Sequence, residues 1–307
     1  MRVIFWGTPH WALYPLEAIN EKEELIAVVC QPDKPAGRGL KLQTPPTKEF
    51  ALSKGIPVFQ PDKLKDETFI EKLRELSPDL CVICAYGKYI PPEILDIPQF
   101  GFLNLHPSLL PRWRGADPIR WTILAGDEKT GVTIHYASEK MDAGDIILQK
   151  EIPVLPRDTY GSLAERLFRE GTNLLLEAIE LIKEGKAPRF PQNESEATYA
   201  PLLKSDDFLI DWQAPAEKID RLVRAGNPTP GAFTFLRGKR LKIWDCRIVE
   251  GKQANAGEII GVEREGIRVG CGKDALLIRS LQMEGKNSLS GEEFARGYRI
   301  KEGEVLG

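Results

Sequence analysis

Apolar and polar positions along the chain fall into two regimes. Short β-rich apolar runs recur at Arg2–Trp6, Leu25–Cys30, Leu80–Ala85, Phe102–His106, Val132–Tyr136 and Ile146–Gln149, separated by helical or Pro/Gly-rich stretches. Strands alternating with helical crossovers predict a Rossmann-like, mostly parallel α/β sheet with helices on both faces. A stripe at helical spacing, Leu163, Leu167, Leu174, Ala178, Ile179 and Ile182, predicts a long helix lying on that sheet and stopping near Gly185. Beyond residue 204 the pattern changes to closely spaced strand-like runs at Ala232–Leu236, Leu241–Val249, Gly257–Val262, Ile267–Gly270 and Ala275–Leu281, with Gly-rich turns between them. Five or so short strands with tight turns predict a small OB-like β-barrel. The polar stretch between the two regimes carries Pro188, Pro191 and Pro201 and reads as a linker. The expected division is therefore 1–184, a linker at 185–204, and 205–307.

The length of 307 residues agrees with two domains, and 42% hydrophobic with 28% charged residues suffices for two cores. No apolar run approaches the roughly 18 residues of a membrane span, and the first strand turns at Gly7 and Pro9 before a signal-peptide core forms. A cytoplasmic protein is expected, with no membrane association. Five scattered cysteines do not make a disulfide framework. Cys81 and Cys84 have metal-like spacing but share one strand, where a separation of three sends their thiols to opposite faces, so no metal site is expected. A net charge of −3 argues against a wholesale nucleic-acid coat.

The chemistry concentrates in Gly101-Phe-Leu-Asn-Leu-His106, a strand stopped by Pro107. Asn104 and His106 lie two apart and leave the strand on one face. Polar groups there make sense beside the crevice in which open α/β sheets bind ligands. The loop Met141-Asp-Ala-Gly-Asp145 follows another strand and can carry Asp142 back toward His106. An amide, an imidazole and a carboxylate suit acyl transfer to an amine: Asn104 donates to a developing oxyanion, His106 stabilises it or shuttles a proton, and Asp142 orients the imidazole. Taken singly, these residues are more often a turn residue, a satisfied structural histidine and a loop cap.

The ordered run Asn104-Leu-His-Pro-Ser-Leu-Leu-Pro111, continuing through Arg112-Trp-Arg-Gly-Ala116 and closing at Asp142-Ala-Gly-Asp145, resembles the signature of the folate-dependent formyltransferases. Gly7-Thr-Pro9, Gln31-Pro-Asp-Lys-Pro-Ala-Gly-Arg-Gly39, Ala85-Tyr-Gly87, Gly131-Val-Thr133, Ile210-Asp-Trp212 and Arg224-Ala-Gly-Asn-Pro228 extend the likeness over essentially the whole chain, to the branch whose acceptor is methionyl initiator tRNA. Trp6 and His10-Trp11 depart from the residues usual there, which should alter only packing near the folate side. Gly-Thr-Pro is no dinucleotide fingerprint, so the Rossmann-like sheet does not imply NAD.

The resemblance implies catalysis by Asn104, His106 and Asp142. Its implied formyl donor is 10-formyltetrahydrofolate, with no metal. That reduced folate would rest on Ala85, Tyr86, Gly87, Ser108, Leu109, Leu110, Pro111, Ser138 and Met141. Methionyl initiator tRNA would be met by Lys34, Arg38 and Lys41 on a long basic loop, by Arg112 and Arg114 near the catalytic strand, and by Arg221, Arg224, Lys239 and Arg240 in the second domain. A monomer is expected. A formyltransferase or formyl-folate hydrolase serving another acceptor, or a noncatalytic RNA-binding protein, remain as alternatives.

Overall fold

The computed structural model describes residues 1–36, 41–250 and 255–307. They form two compact units, one comprising Met1–Pro118, Lys129–Pro153 and Ala164–Pro201, the other Ile119–Glu128, Val154–Leu163 and Leu202–Gly307. The first unit runs β1 (Arg2–Gly7), α1 (Leu13–Lys22), β2 (Glu24–Val29), β3 (Lys34–Ala36), β4 (Lys41–Gln43), α2 (Pro46–Ser53), β5 (Val58–Phe59), α3 (Glu67–Leu76), β6 (Leu80–Cys84), α4 (Pro92–Leu95) and β7 (Phe102–His106). It continues with β8 (Lys129–Tyr136), β9 (Ile146–Pro153) and, from Ala164, α6 (Tyr160–Lys183), whereas α5 (Pro118–Ala125) falls, after Pro118, in the second unit.

Seven strands make one sheet in the order β5-β2-β1-β6-β7-β8-β9. The first five are parallel, whereas β8 runs antiparallel to β7 and β9 antiparallel to β8. Val3, Ile4, Phe5 and Trp6 of β1 are wholly buried, as a central strand covered on both faces requires. Trp6 packs edge-on against Phe69, Tyr86 and Phe102, so this departure from the family's usual residue is absorbed in the core. Trp11 stacks on Phe168 at 6.0 Å. Every residue of the stripe on α6 is buried. Cys81 and Cys84 are free and buried, and burial pushes both thiols well up.

The second unit is built on α7 (Ala216–Ala225), β10 (Ala232–Leu236), β11 (Lys239–Val249), β12 (Ile259–Glu263), β13 (Gly266–Gly270), β14 (Ala275–Met283), β15 (Leu289–Ser290) and α8 (Gly291–Tyr298). Its strands pair antiparallel in the order β10-β11-β14-β13-β12, with β15 added to β14, and no ladder joins β12 to β10 among the described residues. Ile219 and Val223 of α7 and Phe294 of α8 cover the core formed with Leu241, Ile243, Ile267 and Ile278. The start of α8 is fixed by a capping box between Ser290 and Glu293.

The stretch expected as a linker is different in kind. Phe190 and Ile146 exchange two backbone hydrogen bonds, and Arg114 binds Thr198 and Ala200 in the same way. Up to Pro201 this stretch belongs to the first unit, and its prolines fall between the positions whose amides are needed. Polar composition concealed a segment whose backbone groups are satisfied by pairing with loops.

Candidate active site

Asn104 and His106 project from one face of β7, while Leu103 and Leu105 bury the other. The register places Asn104 beside Ile83 of β6 on one side and His135 of β8 on the other. Pro107 ends the strand, and the chain loops so that His106 Nε2 lies 2.9 Å from the carbonyl oxygen of Trp113. A carbonyl only accepts, so Nε2 carries a proton there and Nδ1 is the nitrogen left for proton exchange. Trp113 holds the left-handed φ of +63° that aims this carbonyl.

Asp142 arrives on the loop between β8 and β9, itself left-handed at φ +49°. Its Oδ1 accepts from Asn104 Nδ2 at 3.1 Å, its Oδ2 accepts from the Gly115 amide at 2.8 Å, and Oδ2 lies 3.7 Å from His106 Nδ1. The last separation is an ion-pair distance too long for a hydrogen bond. Gly144 permits the loop's return, since a Cβ there would stand 1.8 Å from the Tyr136 carbonyl oxygen. Gly115 sits at φ +123° with Ala200 2.7 Å from where a Cβ would be. The expected triad of Asn104, His106 and Asp142 is therefore assembled from one strand and one loop.

His135 of β8 joins this cluster. His135 Nδ1 donates to the Tyr136 carbonyl at 2.9 Å, so in the neutral ring Nε2 accepts from Asn104 Nδ2 at 3.1 Å. Both amide hydrogens of Asn104 are thus directed, one to His135 and one to Asp142, which fixes the side-chain amide without ambiguity. The only signal in the sequence was the presence of a histidine on a strand, because the antiparallel register that brings it to Asn104 is a tertiary fact.

His106 is 4% exposed. Burial lowers its pKa below the ordinary 6.5; the Asp142 charge and the Trp113 carbonyl act against this, and His135 reinforces it. The neutral imidazole therefore prevails at neutral pH. Burial also penalises the Asp142 carboxylate, yet His106, His135 and the Gly115 amide outweigh it and hold Asp142 well below the usual carboxylate range. A fixed anion beside a neutral, proton-accepting imidazole is a general-base arrangement.

The residues expected to hold a folate divide. Ala85 and Gly87 are exposed with positive φ at the end of β6, and Ser138 and Met141 are exposed on the Asp142 loop, so these four can meet a ligand. Tyr86 is buried, and its carbonyl accepts from Gln31 Nε2 at 2.8 Å. Ser108 and Leu110 are also buried. Ser108 Oγ donates to the Arg112 carbonyl at 2.6 Å, and Leu110 N donates to Thr133 Oγ1 at 3.2 Å. These two therefore shape the turn after β7 rather than present side chains to a ligand. Leu109 packs over Gly131, and Pro111 accepts from the Thr198 amide. No group of three or more His, Cys, Asp or Glu side chains arranged to hold a metal occurs among the described residues.

A formyl transferase family model matches residues 1–179, and a formyl transferase C-terminal domain model matches 202–299. The methionyl-tRNA formyltransferase of Moorella thermoacetica is 45% identical over 309 residues, covering 100% of this chain and 99% of the relative. That of Geotalea daltonii is 44% identical over 308 residues, covering 100% and 98%. The chain belongs to the methionyl-tRNA formyltransferase family. Among solved structures, HypX from Aquifex aeolicus in complex with tetrahydrofolic acid aligns over 100% of this chain and 50% of its own with a TM-score of 0.68; at 20% identity this likeness concerns the fold.

Within this formyltransferase the cations expected to meet tRNA are not equivalent. Arg114 is 1% exposed and is bound to Gln192 and Glu194, so it is corrected from an RNA contact to an internal group. Arg224 is likewise committed, to Asp220 at 2.7 Å and the Asp158 carbonyl at 3.1 Å, with little of its side chain exposed. Arg221 bonds the Ala125 carbonyl at 3.3 Å and pairs with Glu217. Helical amphipathicity hides such commitments, because an arginine at the edge of an apolar stripe reads the same whether it faces solvent or a buried acid. Arg112 is exposed and lies 4.3 Å above the Trp113 ring. Lys34 and Lys239 are exposed, and Arg240 stands 3.5 Å over Phe233. Lys41 lies in the hairpin of β3 and β4, and Arg38 falls outside the described residues.

Proposed function

We propose that this chain transfers the formyl group of 10-formyltetrahydrofolate to the free α-amine of methionyl initiator tRNA, in the cytoplasm and as a monomer. The observation that supports the chemistry is a single carboxylate, Asp142, lying 3.1 Å from Asn104 Nδ2 and 3.7 Å from His106 Nδ1. The amine lone pair forms a bond to the formyl carbon, and the carbonyl π pair moves onto oxygen. Asn104 Nδ2 exchanges one of its two present partners for that oxyanion. Neutral His106 accepts the proton of the new ammonium at Nδ1, its charge stabilised by Asp142, and returns it to the folate nitrogen as that carbon–nitrogen bond breaks. The donor's pterin rests against the exposed backbone at Ala85 and Gly87 and against the loop carrying Ser138 and Met141. Lys34, Arg112, Lys239 and Arg240 face the phosphates of the tRNA, and Arg38 and Lys41 are assigned to the same role from the sequence alone.

The test is incubation with methionyl initiator tRNA and formyl-labelled 10-formyltetrahydrofolate, with sugar-nucleotide amines and water as competing acceptors. Label is expected in the aminoacyl ester. Label that stays on the folate, or moves only to another acceptor, overturns this reading.

A further inference from the structure

Asp142 is left-handed and lies outside any helix or strand, so something must hold its loop at the position where the carboxylate meets both Asn104 and His106. Gln192, from the segment whose composition suggested a linker, reaches into that loop. Its Nε2 donates to the Asp142 carbonyl at 2.8 Å and to the Gly144 carbonyl at 2.8 Å, pinning the loop at Asp142 and just after it. Its Oε1 accepts from Arg114 Nε at 3.1 Å and from Arg114 Nη2 at 2.8 Å. Arginine only donates, so the amide of Gln192 has one permitted orientation and presents both hydrogens to the loop.

Arg114 is itself immobilised. It is fully buried, its amide donates to the Thr198 carbonyl at 2.8 Å, and its carbonyl accepts from Ala200 at 2.7 Å. The next residue, Gly115, delivers its amide to Asp142 Oδ2. One short stretch thus fixes Asp142 twice, directly through Gly115 and indirectly through Arg114 and Gln192.

We infer that Gln192 is a positioning residue for formyl transfer, clamping the carbonyls of Asp142 and Gly144 so that the Asp142 carboxylate keeps its place between Asn104 and His106. The inference rests on the function proposed above and adds to it a residue that touches no reacting atom. A glutamate in its place would keep the pairing with Arg114 but set one carboxylate oxygen, in place of the donating Nε2, against two carbonyls, so donor chemistry and mere filling of space can be separated.

The experiment compares wild type, Gln192→Ala and Gln192→Glu for label transfer, thermal midpoint and the titration of His106 followed by NMR of labelled histidine. His106 faces Asp142 and His135, so its titration reports whether the carboxylate has moved. Both variants are expected to lose about 10–100-fold in kcat, as a catalytic group displaced by an ångström does. KM for the tRNA should stay within about twofold, because Gln192 is none of the cations assigned to its phosphates. The His106 pKa should fall as the neighbouring carboxylate recedes. Should Gln192→Ala not fold, Gln192→Glu carries the same readouts with the Arg114 partner retained. Wild-type kcat in Gln192→Glu, or an unchanged His106 titration in a variant that has lost turnover, overturns the inference. A wild-type enzyme that moves no label overturns the underlying function instead.

Discussion

Changing His106 to Gln is expected to lower kcat for formyl transfer by about 10²–10⁴, the range set by losing a positioned general base. The loss should come with a change in pH dependence. In the wild type the reacting form has a neutral imidazole, and burial holds its pKa below 6.5. Turnover should therefore persist at neutral pH and fall only on the acid side of 6.5, a limb the variant should lack. The same linkage acts on stability. A histidine whose folded pKa is depressed binds its proton more readily when unfolded, so its contribution is intact above the unfolded value and is lost as pH falls below about 6.5 toward the folded value. Asp142, depressed for a carboxylate, loses its contribution lower still, below about 4. Urea midpoints across this range should decline in the wild type from near 6.5, and in His106→Gln only from near 4. An acid limb of activity that survives in the variant would show that another group titrates.

Asn104→Ala has the second largest expected effect, about 10²–10³ in kcat, the magnitude seen when one oxyanion donor is removed. Here KM for tRNA should not change, because Asn104 sits on β7 beneath the reacting centre rather than among the exposed cations. The variant also frees His135 Nε2 and Asp142 Oδ1 of their shared donor. Steady-state kinetics with both substrates varied would check this; a rise in KM with kcat intact would reassign Asn104 to binding.

The parts of this site that were legible in the sequence are those dictated by local geometry. Period two in a strand puts Asn104 and His106 on one face, a proline stops that strand, and a Gly-containing loop can turn back, so the triad could be expected before any coordinates. Even so, nothing local indicated that Asp142 would contact both. What could not be read depends on register and on long-range pairing. His135 reaches Asn104 only because β8 runs antiparallel to β7 with those two residues opposed. Gln192 lies fifty residues from the carbonyl it binds, in a stretch whose prolines and polar side chains resemble a linker.

The cations show the reverse error. Arg114 and Arg224 carry the charge expected of RNA contacts, yet each is enclosed among acceptors on its own unit. Charge in a sequence is visible, but its engagement by the Gln192 amide and its pairing with Glu194 or Asp220 are not. The second domain was easier, because its five main strands follow directly from alternating runs between glycines, while β15 has only two residues and too little pattern to declare itself.

The claim on which the chemistry turns is that Asn104 and Asp142 act as one unit around one carbonyl. A double-mutant cycle on single-turnover formyl transfer, with Asn104→Ala, Asp142→Ala and the pair, measures this directly. The account predicts strong non-additivity, the double variant being about as slow as the slower single variant, since either change already dismantles the shared arrangement. Rate losses that multiply would contradict it, because they would mean that the two side chains contribute independently.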